Sequence, residues 1–370
     1  MQRVRPAAVL AVLASACATL GTPAGSDDNL PSSGVGPFRP VTEQEVPSGA
    51  LAPFVFSSEQ VLYREPAVLA ASGDPSSASV ILYAVGRVGG RDVIVRTRAD
   101  DGRSFYGDVA DNANDTHPLH AAPQVLAADQ PWEGANLAGP SAVQVGTQTW
   151  LYYGAAGGIG LAQSSDGATF TKAPGPVLGA DPGAAWESTP PGAPSVAVFP
   201  DGSWHMAYSA GASIGEAVSA DGVSWARFDA DPTTPALDPI LGPGGSGSFD
   251  SAQVSDPLLA PRVTPAGRLH VRVLYTGWDG PPGAASRSSA IGFAARYGAS
   301  GPLTRAGAPV YTVSLHEAAP ALFEWAAGSM LYVHEDDGVL DRTHPYSAVA
   351  AAFAPEEGML PPVGPFPPGP

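Results

Sequence analysis

The stretch SSDGATF, Ser164 to Phe170, returns as SADGVSW at Ser219 to Trp225 and, more loosely, as RADDGRSF at Arg98 to Phe105. Each copy follows an apolar, strand-like run, so the phrase marks a repeating unit. Asp followed by Gly suits a hairpin turn that needs a positive φ, and the aromatic that follows is placed to pack against a neighbouring unit. Asp101, Asp166 and Asp221 therefore read as turn residues and not as site residues.

Working outward from the phrase recovers the rest of the unit. Trp132-Glu133, Gly139-Pro140-Ser141-Ala142-Val143 and TWLYYGAAGGIGLAQ precede the first copy. Trp186-Glu187, Ala193-Pro194-Ser195-Val196 and SWHMAYSAGASIGEAV precede the second in the same order. A further unit reads Phe249-Asp250, Asp256-Pro257-Leu258-Leu259, HVRVLYTGWDG and AIGFAARYGASGPLTR, its turn degraded to Tyr297-Gly298-Ala299. Outlying units start at Glu65-Pro66 and Ala319-Pro320, which makes five units anchored on Pro66, Pro140, Pro194, Pro257 and Pro320. Short β-branched and aromatic runs between Gly, Asp, Ser and Pro clusters are strand-and-turn grammar, and no helical period is sustained. A period of roughly 40 to 70 residues with several strands per unit is the pattern of radially stacked sheets. The expected fold is all-β, a five-bladed β-propeller over residues 51–354.

Charge and composition narrow the function. A net charge of −17 with 18 Lys and Arg argues against nucleic acid, which requires a basic footprint. Arg3 and Arg5, an apolar run from Ala7 to Leu13 and then Ala14-Ser15-Ala16-Cys17 have the layout of an export signal too short to span a membrane. Cys17 is the only cysteine. Leu13 to Cys17 resembles the bacterial lipoprotein signal, which implies lipidation of Cys17 as the mature N-terminus after removal of residues 1–16. An ordinary signal peptide is the other reading. Residues 17–50 then form a flexible tether and 355–370 a Pro-rich tail. The expectation is a monomer in the cell envelope, touching the membrane only through its lipid, with a disulfide-free domain.

The unit of acid, Pro-Ser-Val, Gly-x-Trp-x-Met-x-Tyr, Ile-Gly-x-Ala and Ser-x-Asp-Gly-x-x-Trp resembles the repeats of the five-bladed propeller glycosidases. That group includes arabinanases, levanases, invertases and mannoside phosphorylases. The resemblance implies a carbohydrate partner and an axial pocket built from the residues that precede the anchoring prolines. Here those are Glu65, Gly139, Ala193, Asp256 and Ala319, with Glu317 two positions upstream of the last. Glycoside hydrolysis needs two carboxylates across the scissile bond. Asp256, Glu317 and Glu65 are the catalytic candidates, in units that are neighbours on a closed ring. The group places a base Asp, a second Asp and an acid Glu in its first three blades, where this chain has Glu65, Gly139 and Ala193. Either the site has moved around the ring, or hydrolysis is lost and a surface module that binds a glycan or a protein remains.

A second set of acids repeats more strictly. Glu59, Glu133, Glu187 and Asp250 each lie seven residues before an anchoring Pro, with Val313 in the last unit. They serve either as backbone acceptors between units or as a ring of acids at the axial mouth. Glu187 and Asp250 are carried forward as substrate-binding candidates, with Trp186 and Trp278 as sugar-stacking aromatics. No cofactor is expected, although a structural calcium ion is admitted; His316-Glu317 and His334 to Asp337 lack metal-motif spacing. The glycine runs Gly242–Ser248 and Gly154–Gly160 lack a P-loop Lys, and no Gly-x-Ser-x-Gly elbow is present.

Overall fold

The computed structural model describes residues 38–40, 54–56, 63–103, 105, 122–264, 267–284, 287–312, 316–326, 328–336 and 347–355. The signal segment with Cys17, Glu59, Val313 and the tail beyond 355 lie outside the described residues. Within them the regular structure is nearly all strand, with a single 3-10 turn at Pro131–Glu133.

Each repeat folds as an antiparallel meander whose inner strand carries the anchoring Pro. The first runs Tyr63–Ala70, Val80–Val88, Arg91–Ala99 and Gln124–Leu126. The second runs Ala138–Val145, Gln148–Ala155, Gly158–Ser164 and Thr171–Lys172. The third follows as Gly192–Val198, Trp204–Ala210, Ser213–Ser219 and Ala226–Phe228. The fourth comprises Gln253–Val263, Leu269–Trp278, Ser289–Tyr297 and Thr304–Arg305. The last contains His316–Trp325, Gly328–Asp336 and Ser347–Pro355. One parallel bridge, Ser289 to His316, joins the last two groups. The arrangement is a β-propeller.

The outer edge of the last group is completed from the other end of the chain. Arg39 and Pro40 pair with Phe353 and Ala352, and Phe54–Phe56 pair with the same strand. Part of the segment read as a tether is therefore a strand. An edge that would otherwise expose unpaired N–H and C=O groups is covered, and the ring is closed at the same time.

Apolar residues fill each interface between neighbouring groups. Tyr332, Met330 and Trp325 of the last group meet Leu82, Ala84 and Val95 of the first in one cluster. Equivalent clusters follow round the ring. Tyr83, Tyr152 and Tyr332 are fully buried there, each side chain contributing about 2 kcal/mol of apolar burial.

The Asp-Gly turns hold these interfaces from the far side. Asp166 Oδ1 accepts from the N–H groups of Ala168 and Thr169, and Asp221 Oδ1 from those of Val223 and Ser224. The glycines sit at φ 72° in Gly102, 69° in Gly167 and 74° in Gly222, as the turn requires. Their carbonyls accept the hydroxyls of Tyr332, Tyr83 and Tyr152 from the preceding group. Phe105, Phe170 and Trp225 stand edge-on to the same tyrosines. The fourth group, whose turn is degraded, faces Ala207 in the third, so turn and tyrosine are lost together.

Candidate functional site

Every inner strand breaks register at its anchoring Pro. The shifts fall between Arg64 and Ala67, Ala138 and Ser141, Gly192 and Ser195, Ser255 and Leu258, and Ala318 and Ala321. The residue before each Pro is left-handed, with φ of 53° at Glu65, 48° at Gly139, 42° at Ala193, 47° at Asp256 and 50° at Ala319. Four of these are not glycine, and such strain persists only where the surroundings enforce it. The bulge N–H is captured by the preceding group: Asp256 N donates to Ser209 Oγ at 2.8 Å, Ala319 N to Thr276 Oγ1 at 2.9 Å, and Gly139 N to Glu65 Oε2 at 2.6 Å. The bulges turn toward the axis, and all five line a single cavity of about 190 Å³.

Two carboxyls enter that cavity. Glu65 accepts from Arg64 Nε on Oε1 at 2.8 Å and from Gly139 N–H on Oε2. Asp256 is held differently. Burial raises its pKa, the negative charge of Glu65 adds to the rise, and hydrogen bonds from Ser255 and Thr276 with the charge of Arg287 only partly oppose it. Ser255 Oγ donates to Asp256 Oδ2 at 2.7 Å and itself accepts from Trp278 Nε1 at 3.0 Å. A chain of donors thus orients one oxygen of Asp256.

Glu317 is not brought to this cavity. Its side chain is fully buried in the wall between the last two groups, and its carbonyl accepts from Ser289 Oγ. The bulge assigns the axial position to Ala319, so a carboxylate two residues earlier is carried into the wall. The second unit has no room for an acid at all. A Cβ on Gly139 would stand 2.6 Å from Ala193 Cα.

The strictly repeated acids, with Glu187, Asp250 and the adjoining Trp186 that were expected to bind substrate, form a different construction away from the cavity. In the second group Tyr153 donates to Glu133 Oε1 at 2.6 Å, and Lys172 Nζ reaches the same carboxylate at 2.8 Å. In the third, Tyr208 donates to Glu187 at 2.7 Å, and Arg227 pairs with both of its oxygens. In the fourth, Tyr275 donates to Asp250 at 2.8 Å, and Arg305 pairs with it. All three carboxylates are fully buried, and none lines the axial cavity. The aromatic before each acid stacks on the same tyrosine: Trp132 on Tyr153, Trp186 on Tyr208, Phe249 on Tyr275. These residues are committed to locking each group.

The motif Ile-Gly-x-Ala belongs to the same lock. Gly160, Gly215 and Gly292 lie opposite Tyr153, Tyr208 and Tyr275 in register, and a Cβ on any of them would stand 2.3 to 2.6 Å from the tyrosine ring. Only glycine lets the ring lie across the strand and reach its acid.

Trp278, the remaining stacking candidate, sits at the axial end of the fourth group. Arg287 lies over its ring at 3.6 Å, and His316 is tilted against it at 6.1 Å. Sequence reasoning missed Arg64, Ser255 and Arg287. Arg64 and Ser255 adjoin the two acids and could have been flagged on that ground. Arg287 lies in the connection between Leu269–Trp278 and Ser289–Tyr297 and folds back over Trp278, which leaves no local signal. Among the described residues, no group of three or more His, Cys, Asp or Glu gathers as for a metal ion.

No protein-family profile matches the chain, and no curated protein matches it. Solved structures do. A putative glycoside hydrolase from Bacteroides ovatus superposes with a TM-score of 0.60 at 15% identity, over 86% of this chain and 96% of the other. A thermostable family-43 glycoside hydrolase gives 0.58 at 14% identity, over 88% and 98%. The α-L-arabinanase of Cellvibrio cellulosa, complexed with arabinohexaose, gives 0.55 at 11% identity, over 79% and 91%. In fold, the chain is similar to these glycoside-hydrolase β-propellers.

Proposed function

We propose that the axial cavity of a five-bladed propeller binds carbohydrate and hydrolyses a glycosidic bond, with Asp256 as the proton donor and Glu65 as the base or nucleophile. The observation that carries this reading is two carboxyls with unlike surroundings in one cavity. Burial pushes Asp256 toward its protonated form, while both oxygens of Glu65 accept hydrogen bonds. Glycoside hydrolysis uses two carboxyls in unlike roles, one to protonate the leaving oxygen and one to act as base or nucleophile. Bound arabinohexaose in one structural neighbour is in keeping with a sugar-binding axis.

The test is hydrolysis of a panel of aryl glycosides and oligosaccharides by the wild type, Asp256→Asn and Glu65→Gln. Hydrolysis by the wild type that falls at least about a hundredfold in each variant supports the assignment. One observation favours a second reading, glycan binding without turnover: the closed packing at Gly139 excludes the third acid that related enzymes are expected to use. Binding of an oligosaccharide that is not hydrolysed would select it.

The protein is further proposed to be exported and held as a monomer at the envelope by lipid on Cys17. The layout of residues 1–17 supports this. Cys17→Ala should abolish incorporation of labelled fatty acid; retained labelling would contradict it.

A further inference from the structure

Arg287 is fixed over Trp278, near Asp256 of the axial cavity, and makes no salt bridge among the described residues. Its guanidinium lies 3.6 Å from the centre of the Trp278 ring, and Nη2 donates to Gln253 Oε1 at 2.7 Å. Its carbonyl lies 2.7 Å from His316 Nε2, which ties the backbone down as well. Nε is buried with no acceptor, and no carboxylate among the described residues forms an ion pair with Arg287. Asp279, whose charge reaches it, spends its oxygens on the N–H and hydroxyl of Ser288 at 2.7 and 2.5 Å.

An unpaired guanidinium taken partly out of water is costly, and burial depresses its pKa. Folding alone does not explain why it is kept there. The Trp278 ring beneath it donates to Ser255 Oγ, which donates to Asp256 Oδ2, so the guanidinium is linked through two side chains to the cavity wall. Asp256, the other carboxyl whose charge reaches it, accepts from Ser255 Oγ and is pushed toward its neutral form by burial. A planar guanidinium fixed on an aromatic face is suited to a planar carboxylate.

From this, resting on the carbohydrate reading above, we infer that the cavity takes a saccharide bearing a carboxylate, a uronic acid unit, and that Arg287 is the residue that recognises the charge. Gln253 and Trp278 orient the guanidinium and leave Nη1 for the ligand. Discrimination between a uronate and its neutral counterpart then comes from Arg287, whereas affinity for the sugar ring does not.

The experiment is calorimetric titration of the full chain with trimers of galacturonate, glucuronate and mannuronate, and with the same trimers after reduction of their carboxyls to alcohols. Wild type is compared with Arg287→Gln and Arg287→Lys, each checked for an intact thermal transition. The expected result is a uronate bound about tenfold or more tighter than its reduced form. That ratio should collapse toward one in Arg287→Gln and be partly kept in Arg287→Lys. Should Arg287→Gln not fold, the ratio in wild type and Arg287→Lys still decides. Equal binding of charged and reduced trimers, or a ratio untouched by substitution, overturns the inference and leaves the carbohydrate reading standing. Binding of no trimer in either set, together with no binding of neutral oligosaccharides from the hydrolysis panel, overturns both.

Discussion

Tyr332 donates its hydroxyl to the carbonyl oxygen of Gly102, joining the last strand group to the turn of the first. Tyr83 and Tyr152 make the same bond to Gly167 and Gly222 between consecutive groups. At the ring closure the contact is therefore a long-range one, and the strands from Arg39–Pro40 and Phe54–Phe56 reinforce it. Tyr332→Phe removes one buried hydrogen bond and leaves the Gly102 carbonyl unmatched. It should lower stability by about 1 to 2 kcal/mol, measured by denaturant unfolding. Tyr152→Phe should cost a similar amount, and a neutral Tyr332→Phe would count against this closure.

The glycine of Ile-Gly-x-Ala is required by the tyrosine that crosses it. Gly215→Ala would place a methyl 2.6 Å from the Tyr208 ring and 2.5 Å from Trp186. Overpacking of this kind costs about 1 to 3 kcal/mol. Gly245→Ala, which meets nothing within 4 Å, should leave the thermal midpoint nearly unchanged. Equal midpoints for the two variants would refute the lock.

Glu187 is assigned to the fold, not to a ligand. Glu187→Ala leaves the Tyr208 hydroxyl and the Arg227 guanidinium without their buried acceptor. Loss of one member of such a pair costs about 3 to 5 kcal/mol. A protein that melts as the wild type does but loses a bound sugar would restore Glu187 to the site.

The two kinds of aspartate pull stability in opposite directions with pH. Asp256 has a raised pKa in the folded state, so between its ordinary value and the raised one the folded chain holds a proton that the unfolded chain has lost. Stability therefore falls as pH rises through that window, and Asp256→Asn should remove this slope. Asp221 is lowered to about 2 by the N–H groups of Ser224 and Val223 and the hydroxyl of Ser219. Its contribution is present above the ordinary value near 3.8 and is lost as pH falls toward about 2. Unfolding midpoints of Asp256→Asn and Asp221→Asn against pH should separate the two; parallel curves would contradict both assignments.

The repeat made the propeller and its strand grammar legible, because Asp-Gly turns and anchoring prolines are local signals. The positions before Pro66 and Pro257 were legible as axial through the resemblance to the propeller glycosidases. Glu317 was misplaced because a bulge decides which residue faces the axis, and a bulge with positive φ at a non-glycine residue has no composition of its own. Glu187 and Asp250 looked like site acids because their partners, Tyr208 with Arg227 and Tyr275 with Arg305, lie tens of residues away in sequence. Arg287 was hidden in the same way. Trp278 was visible, but its link through Ser255 to Asp256 emerges only when the strands pair.

The most direct measurement is a crystal structure of the protein with a bound oligosaccharide, selected from the hydrolysis and titration panels. The account predicts a sugar in the axial cavity, with a glycosidic oxygen within hydrogen-bond reach of Asp256 and the opposite face of the ring toward Glu65. A sugar bound elsewhere, for example against the stacked Trp186 and Tyr208, with Asp256 and Glu65 untouched, would contradict it.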